Sequence, residues 1–218
     1  AALNISKSLE QTPPPQPPEE LPWGVNRIDA DLAWATSTGA GVKVAILDTG
    51  IDIDHPDLVA NIKGGVNTIN PLKSFNDDNG HGTHVAGIAA AVDNDIGVIG
   101  VAPQAHLYGV KVLNKAGWGW LSDIIEGLQW SIDNGMKVAN MSFGSSGDNQ
   151  SFHDAITAAY NAGITLVAAA GNSGPGDNTV NYPAKYSEVI AVSATNSSDG
   201  QPDWSSRGPE VDLAAPGA

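Results

Sequence analysis

Residues 42–50 read Val42-Lys43-Val44-Ala45-Ile46-Leu47-Asp48-Thr49-Gly50, an apolar run that stops on an acid and a turn. The run at 42–47 has the length of a strand and is apolar in both alternating sets of side chains, which predicts a strand buried on both faces. Outward from it, apolar runs at 107–112, 138–141, 165–170, 189–193 and 211–214 predict further strands. Between them, residues 85–92 are small and apolar and predict a closely packed helix. Residues 122–134 predict an amphipathic helix with Ser122 at its N-cap and Gly135 just past its end, and 152–161 a third helix. Buried strands alternating with helices predict an α/β, three-layer fold: a mostly parallel central sheet with helices on both faces. No internal repeat is visible. Functional residues in such a sheet gather at the carboxyl ends of strands. That singles out Asp48-Thr49-Gly50, the stretch 140–144 and Gly171-Asn172-Ser173-Gly174.

Composition narrows the function. The 218 residues carry 10 Lys+Arg against 24 Asp+Glu, a net charge of −14. Nucleic acid and anionic lipid both call for clustered cations, so neither is an expected partner. No apolar run approaches the length of a membrane span. The absence of cysteine removes disulfides, thiolate metal sites and a thiol nucleophile. Residues 1–20 stand apart: Pro13, Pro14, Pro15, Pro17 and Pro18 followed by Glu19-Glu20 predict an extended proline-rich linker or prosegment remnant, with a domain over 21–218. The chain opens on Ala1 and stops at Ala215-Pro216-Gly217-Ala218, the entry to a turn, and truncation at both ends is the expectation.

Some phosphate and nucleophile signatures are missing. Gly39-Ala40-Gly41 precedes a strand instead of following one, Gly80-His81-Gly82 leads into no Gly-Lys-Ser/Thr loop, and no serine sits in a Gly-x-Ser-x-Gly elbow. What is present is a carboxylate, Asp48, at the end of a buried strand, where it would be costly without a partner. His81 opens a helix, and Asn172 follows another strand. A carboxylate that fixes an imidazole, an imidazole that moves a proton and a carboxamide that steadies an oxyanion are parts of acyl-transfer catalysis.

At these residues the chain resembles the subtilisin-like serine proteases, the subtilases. The resemblance rests on Ala45-Ile46-Leu47-Asp48-Thr49-Gly50-Ile51, His55-Pro56-Asp57-Leu58, His81-Gly82-Thr83-His84-Val85-Ala86-Gly87 and Gly100-Val101-Ala102-Pro103. It continues through Asn140-Met141-Ser142-Phe143-Gly144, Ala169-Ala170-Gly171-Asn172, Asn181-Tyr182-Pro183-Ala184, Trp204-Ser205-Ser206-Arg207-Gly208-Pro209 and Leu213-Ala214-Ala215-Pro216-Gly217. The resemblance implies that Asp48 is the triad acid, His81 the general base and Asn172 the oxyanion donor, with His84 not the base. It implies that Ser142, Phe143 and Gly144 pair with substrate backbone, opposite a strand at Gly117, Trp118 and Gly119. A peptide held as an added strand is bound with little sequence demand, so broad specificity follows. Trp118 or Trp120 would narrow the subsites upstream of the cleaved bond. The resemblance further implies a structural calcium ion held by the side chains of Glu19, Asp57 and Asn94 and the carbonyls of Val92, Ile96 and Val98. It implies polypeptide substrates, a possible N-terminal propeptide, secretion, and a monomer when complete.

One part of the pattern is missing. Subtilisins order their triad Asp, His, Ser, and the family's Gly-Thr-Ser-Met-Ala motif follows the Ala-Pro-Gly turn on which these 218 residues stop. Neither Ser173 nor Ser205 matches it. The fragment alone is therefore expected to be inactive. The alternative is a naturally truncated pseudoprotease that binds peptides or regulates, at the cost of an uncovered apolar groove. Plainer readings exist for single residues. His81 and His84 are spaced to bind zinc but lack a third ligand, and His84 reads as packed behind its helix. Asn172 could occupy a left-handed turn, and Asp93-Asn94-Asp95 could be a solvated acidic loop. The Asn-x-Ser tripeptides at Asn140, Asn149 and Asn196 read as chance matches.

Overall fold

The computed structural model describes residues 16–218, so Pro13, Pro14 and Pro15 of the proline-rich segment lie outside the described residues. Two short helices, α1 (Trp23–Arg27) and α2 (Ala30–Ala33), precede β1 (Lys43–Asp48). There follow β2 (Ile62–Asn67), α3 (His81–Ala90), β3 (His106–Lys111), α4 (Leu121–Asp133), β4 (Val138–Met141), α5 (Gln150–Asn161), β5 (Thr165–Ala169), β6 (Val189–Thr195) and β7 (Leu213–Pro216). The strands form one seven-stranded sheet in the order β2-β3-β1-β4-β5-β6-β7, and every pairing in it is parallel.

The central strand behaves as its sequence dictates. Ala45, Ile46 and Leu47 are fully buried. Ala45 and Leu47 enter the core that α4 and α5 cover, with Leu128, Met141 and Ile156. Ile46 points the other way and packs with Ala86, Ala90 and Leu107 under α3. Helix α3 approaches closely because its inward face is Gly82, Ala86 and Ala90. Beyond β1 the chain adds β2 and β3 on one side, then crosses to build β4 through β7 on the other. The crevice at this switch lies at the carboxyl ends of β1 and β4, where such sheets place their sites.

Several elements differ from the sequence reading. Helix α3 begins at His81, earlier than the 85–92 expected, and β7 lies two residues further on than 211–214. Ser122 is not the N-cap of α4. Trp120 holds that position in extended conformation without a side-chain cap, and the Ser122 hydroxyl turns to Asp123 at 3.3 Å. Strand β2, α1 and α2 were not foreseen. In β2 the obscuring residues are Gly64 and Gly65, poor strand formers; a Cβ on Gly65 would strike the Gly109 carbonyl and the Phe75 ring. At the N-terminal side, Pro18 bridges to Ile96 and Glu20 to Val98, so this part of the proline-rich lead-in lies along the 95–99 loop.

Candidate active site

Asp48, the last residue of β1, has no exposed surface. Its Oδ1 accepts the Thr49 amide at 2.7 Å and meets His81 Nδ1 at 2.7 Å. A carboxylate can only accept, so Nδ1 carries the proton and Nε2 is the basic nitrogen. Asp48 Oδ2 is buried without a partner among the described residues. That leaves the His81 side as the route by which the charge of Asp48 is offset when the imidazole is protonated. The Asp48 hydrogen bond, against the cost of partial burial and with the negative charges of Asp48 and Asp77 adding to it, raises the His81 pKa above 6.5.

The start of α3 is tied down by residues from elsewhere. Its N-cap, Gly80, has φ 106° and no side chain, so the unpaired amides of the first turn need other acceptors. Asn79 Oδ1 takes the His81 amide at 3.1 Å, Thr49 Oγ1 the Gly82 amide at 2.9 Å and Asp77 Oδ2 the Thr83 amide at 3.0 Å. Burial opposes ionisation of Asp77, but hydrogen bonds from Gly80, Thr83 and Asn79 outweigh it and hold the carboxyl at about 2.

His81 opens onto a cleft of about 820 Å³. Ser142, Phe143 and Gly144 line it together with Gly117, Trp118 and Gly119, and its apolar lining includes Leu121, Ile124 and Phe152. Among the described residues no backbone hydrogen bond engages Ser142, Phe143 or Gly144, which follow directly on β4. That edge can accept an extended peptide. Directly after this stretch, Ser145 and Tyr182 form a two-way bridge. Residues 117–119 are not part of a paired strand. Gly117 and Trp118 belong to a turn in which Asn114 accepts from Gly117 and donates to Trp118, each at 2.8 Å. Trp118 and Trp120 are 76% and 79% exposed.

Asn172 is brought near but not into this cleft. It lines a neighbouring cavity of about 310 Å³ with Asn140, Gly171 and Ser142, and Ser142 is common to both spaces. The adjacency follows from the sheet, because Asp48, Ser142 and Asn172 leave the carboxyl ends of neighbouring strands β1, β4 and β5. Ser205 and Ser206 are buried; their hydroxyls accept backbone amides of Ala194 and Ser173 at 3.0 Å. His84 corrects the sequence reading: it is exposed and lines an apolar groove of about 870 Å³ that also runs past Trp23, Ile88 and Pro216.

The sequence profile of the subtilase family (Peptidase_S8) matches residues 39–218. This chain is a subtilase. It is 48% identical over 200 residues to Subtilisin Savinase from Lederbergia lenta, spanning 91% of this chain and 72% of that protein. It is equally 48% identical to an alkaline protease from Shouchella clausii, again over 91% of this chain but 51% of the relative. To Minor extracellular protease Epr of Bacillus subtilis (strain 168) it is 46% identical over 196 residues, 89% of this chain and 30% of the relative. The chain therefore spans about half or less of the length of the latter two.

In this subtilase the side chains of Glu19, Asp57 and Asn94 are linked through Asn94. Asp57 is 4% exposed; its Oδ1 accepts from Asn94 Nδ2 at 3.0 Å and its Oδ2 from the Val98 amide at 2.9 Å. Glu19 Oε1 accepts the Asn94 amide at 2.6 Å, and Asn94 Oδ1 the Ile96 amide at 2.7 Å. Val92 is fixed by its amide to the Asp57 carbonyl at 3.0 Å. The donor set is entirely oxygen, with two carboxylates, one of them buried, and no lysine or arginine paired with either among the described residues. That chemistry fits a hard cation. It is not a cluster of three or more acids or histidines, since no such group occurs among the described residues.

Sequence reasoning missed Asn79, Leu121, Ile124, Phe152 and Tyr182, all of which line the cleft. Leu121 and Ile124, three apart at the start of α4, could have been found from their helical spacing beside Gly119. No helix among the described residues is long and apolar enough to cross a membrane.

Proposed function

We propose that this subtilase is the acid- and base-bearing part of a secreted serine endopeptidase of broad specificity. The observation that carries the reading is the 2.7 Å contact between buried Asp48 and His81 at the mouth of a cleft with a free strand edge. In this reading a serine on residues beyond this sequence attacks the scissile carbonyl, and its proton passes to His81 Nε2 as the new C–O bond forms. Asn172 donates to the oxyanion. His81 then returns the proton to the leaving amine, and water repeats the cycle on the acyl-enzyme. The apolar groove along Ile88 and Pro216 supports this reading, because a helix bearing the nucleophile would cover it. The name of the relative Epr, an extracellular protease, supports secretion.

A calcium ion would be held by Glu19, Asp57 and Asn94 with the carbonyls of Val92, Ile96 and Val98. Bound there it would neutralise the two carboxylates and fasten residues 17–20 to the 92–99 loop.

The test uses the complete protein. It should hydrolyse casein, lose activity to a serine-directed sulfonyl fluoride, and lose about 10⁴-fold in kcat on Asp48→Asn. Peptide binding without any hydrolysis would make the molecule a peptide-binding relative of the proteases.

A further inference from the structure

Beside Trp118 lies a second concavity of about 330 Å³, lined by Ile69, Asn114, Trp118, Gly119, Trp120 and Asp123. Trp118 and Gly119 also line the main cleft, so the two spaces share a wall. The two indoles are 76% and 79% exposed, and neither is stacked on another aromatic ring among the described residues. Leaving such large apolar side chains in water forfeits the free energy that their burial would bring. Beside them the Asp123 carboxylate has one side-chain contact, the neighbouring Ser122 hydroxyl at 3.3 Å. No lysine or arginine among the described residues pairs with it.

We propose that this concavity binds the side chain of an arginine or lysine in a polypeptide lying in the cleft, upstream of the bond to be cut. The inference rests on the reading of the cleft as a peptide site. A long aliphatic stem can lie on Ile69 and the indoles while its cationic head sits over an indole face and against Asp123. Arginine is favoured over lysine because its planar group both stacks and bonds in a fork. A leucine or phenylalanine would cover the same apolar wall but strip water from Asp123 without replacing it. A glutamate would meet a like charge. The overall charge of −14 works in the same direction by drawing basic segments to the surface.

The test is calorimetric binding of decapeptides, at low salt, to the complete protein carrying His81→Ala so that the peptides are not hydrolysed. Arginine, norleucine or glutamate is placed singly at each position of an otherwise uncharged sequence. At one upstream position arginine should bind about 5- to 10-fold tighter than norleucine, with glutamate weakest, and the preference should shrink as salt rises. Asp123→Asn should remove most of the arginine preference, leaving the part owed to the indole face, and should not weaken norleucine. Trp118→Ala with Trp120→Ala should weaken both. Equal binding of arginine and norleucine at every position, or a preference undiminished by Asp123→Asn, overturns the inference alone. Failure of every peptide to bind overturns it together with the peptide-cleft reading.

Discussion

Asp77 Oδ1 accepts the Thr49 hydroxyl at 2.8 Å, so the loop leaving β1 and the start of α3 hang on one carboxylate. Its Oδ2 takes the Thr83 amide and hydroxyl at 3.0 and 2.6 Å, and Thr49 Oγ1 in turn accepts from Gly82. Asp48 precedes Thr49 and His81 precedes Gly82. The spacing of the acid–imidazole pair is therefore set from behind, by a residue that touches neither.

Asp77→Asn should accordingly cost about 1–3 kcal/mol of stability, measured by urea unfolding near neutral pH. The native carboxyl is held at about 2 against an ordinary 3.8. A depressed acid stabilises the fold fully above its unfolded value, and that contribution fades as pH falls through the folded one. Allowing for solvent screening, its size is on the order of 1 kcal/mol. The acid limb of the wild-type stability profile in that window should be shallower in Asp77→Asn; identical profiles would mean the network contributes nothing.

His81 has the opposite sign. Its pKa is raised above 6.5, first by the Asp48 hydrogen bond. The stabilisation it brings is complete below the unfolded value and is lost as pH rises through the folded one. An NMR titration of the His81 ring should place its midpoint above 6.5, and Asp48→Asn should lower it. In the complete enzyme, kcat/KM should climb through that same raised value, because the base must be neutral to accept a proton. A midpoint unmoved by Asp48→Asn would break the proposed pairing.

Gly82→Ala tests how closely α3 must approach. A Cβ at Gly82 would fall against the Gly50 carbonyl and within 3.0 Å of Asp48 Cβ, and both neighbours are fixed in the β1 exit. Overpacking of this kind costs about 1–3 kcal/mol. The methyl should also push His81 off Asp48, so a lower melting temperature should be accompanied by a lowered His81 midpoint. A melting change alone would place the strain elsewhere.

Local chemistry decided what could be read from the sequence. Ala45, Ile46 and Leu47 are apolar on both sides of the strand and are buried on both, so the sheet and its layers were legible. The meeting of Asp48 with His81 was legible because each sits in a distinctive short motif at a strand or helix end, whereas Asn172, picked out in the same way, lines the neighbouring cavity. Strand β2 was hidden by Gly64-Gly65, whose absence of side chains reads as a turn while serving a close backbone approach. The cap of α4 was misread because Ser122 has the right chemistry but Trp120 has the right backbone. Asp77 and Lys111 were invisible for another reason: Thr49 lies 28 residues from the first and 62 from the second, and no local pattern announces such partners.

Calcium should stabilise the chain if the cluster around Asp57 holds it. An ion that binds only the folded state at 100 times its Kd adds about 2.7 kcal/mol. Scanning calorimetry in millimolar calcium against a chelator should show a higher melting temperature with the ion, and Asp57→Asn should abolish the difference. Glu19→Gln should reduce it less, since Glu19 is less buried and comes from the proline-rich lead-in. Equal melting temperatures with and without calcium would remove the ion from the proposal.

Lys111 ends β3 with a side chain 7% exposed. Its ammonium donates to the Thr49 carbonyl, to the Leu113 carbonyl at 3.1 Å and to Asp78 Oδ1 at 2.7 Å. The Asp78 contact invites a salt-bridge reading, but Asp78 is 54% exposed, and pairs open to water contribute about 0–1 kcal/mol. The carbonyls are different, since both lose a buried donor if the ammonium goes, at about 1–3 kcal/mol each. Lys111→Met should therefore destabilise by several times as much as Asp78→Asn in the same urea experiment. Because Thr49 is one of the freed carbonyls, Lys111→Met should also broaden the His81 ring signal, whereas Asp78→Asn should leave it sharp. Equal destabilisation by the two variants would make the ion pair, and not the carbonyl clasp, the function of Lys111.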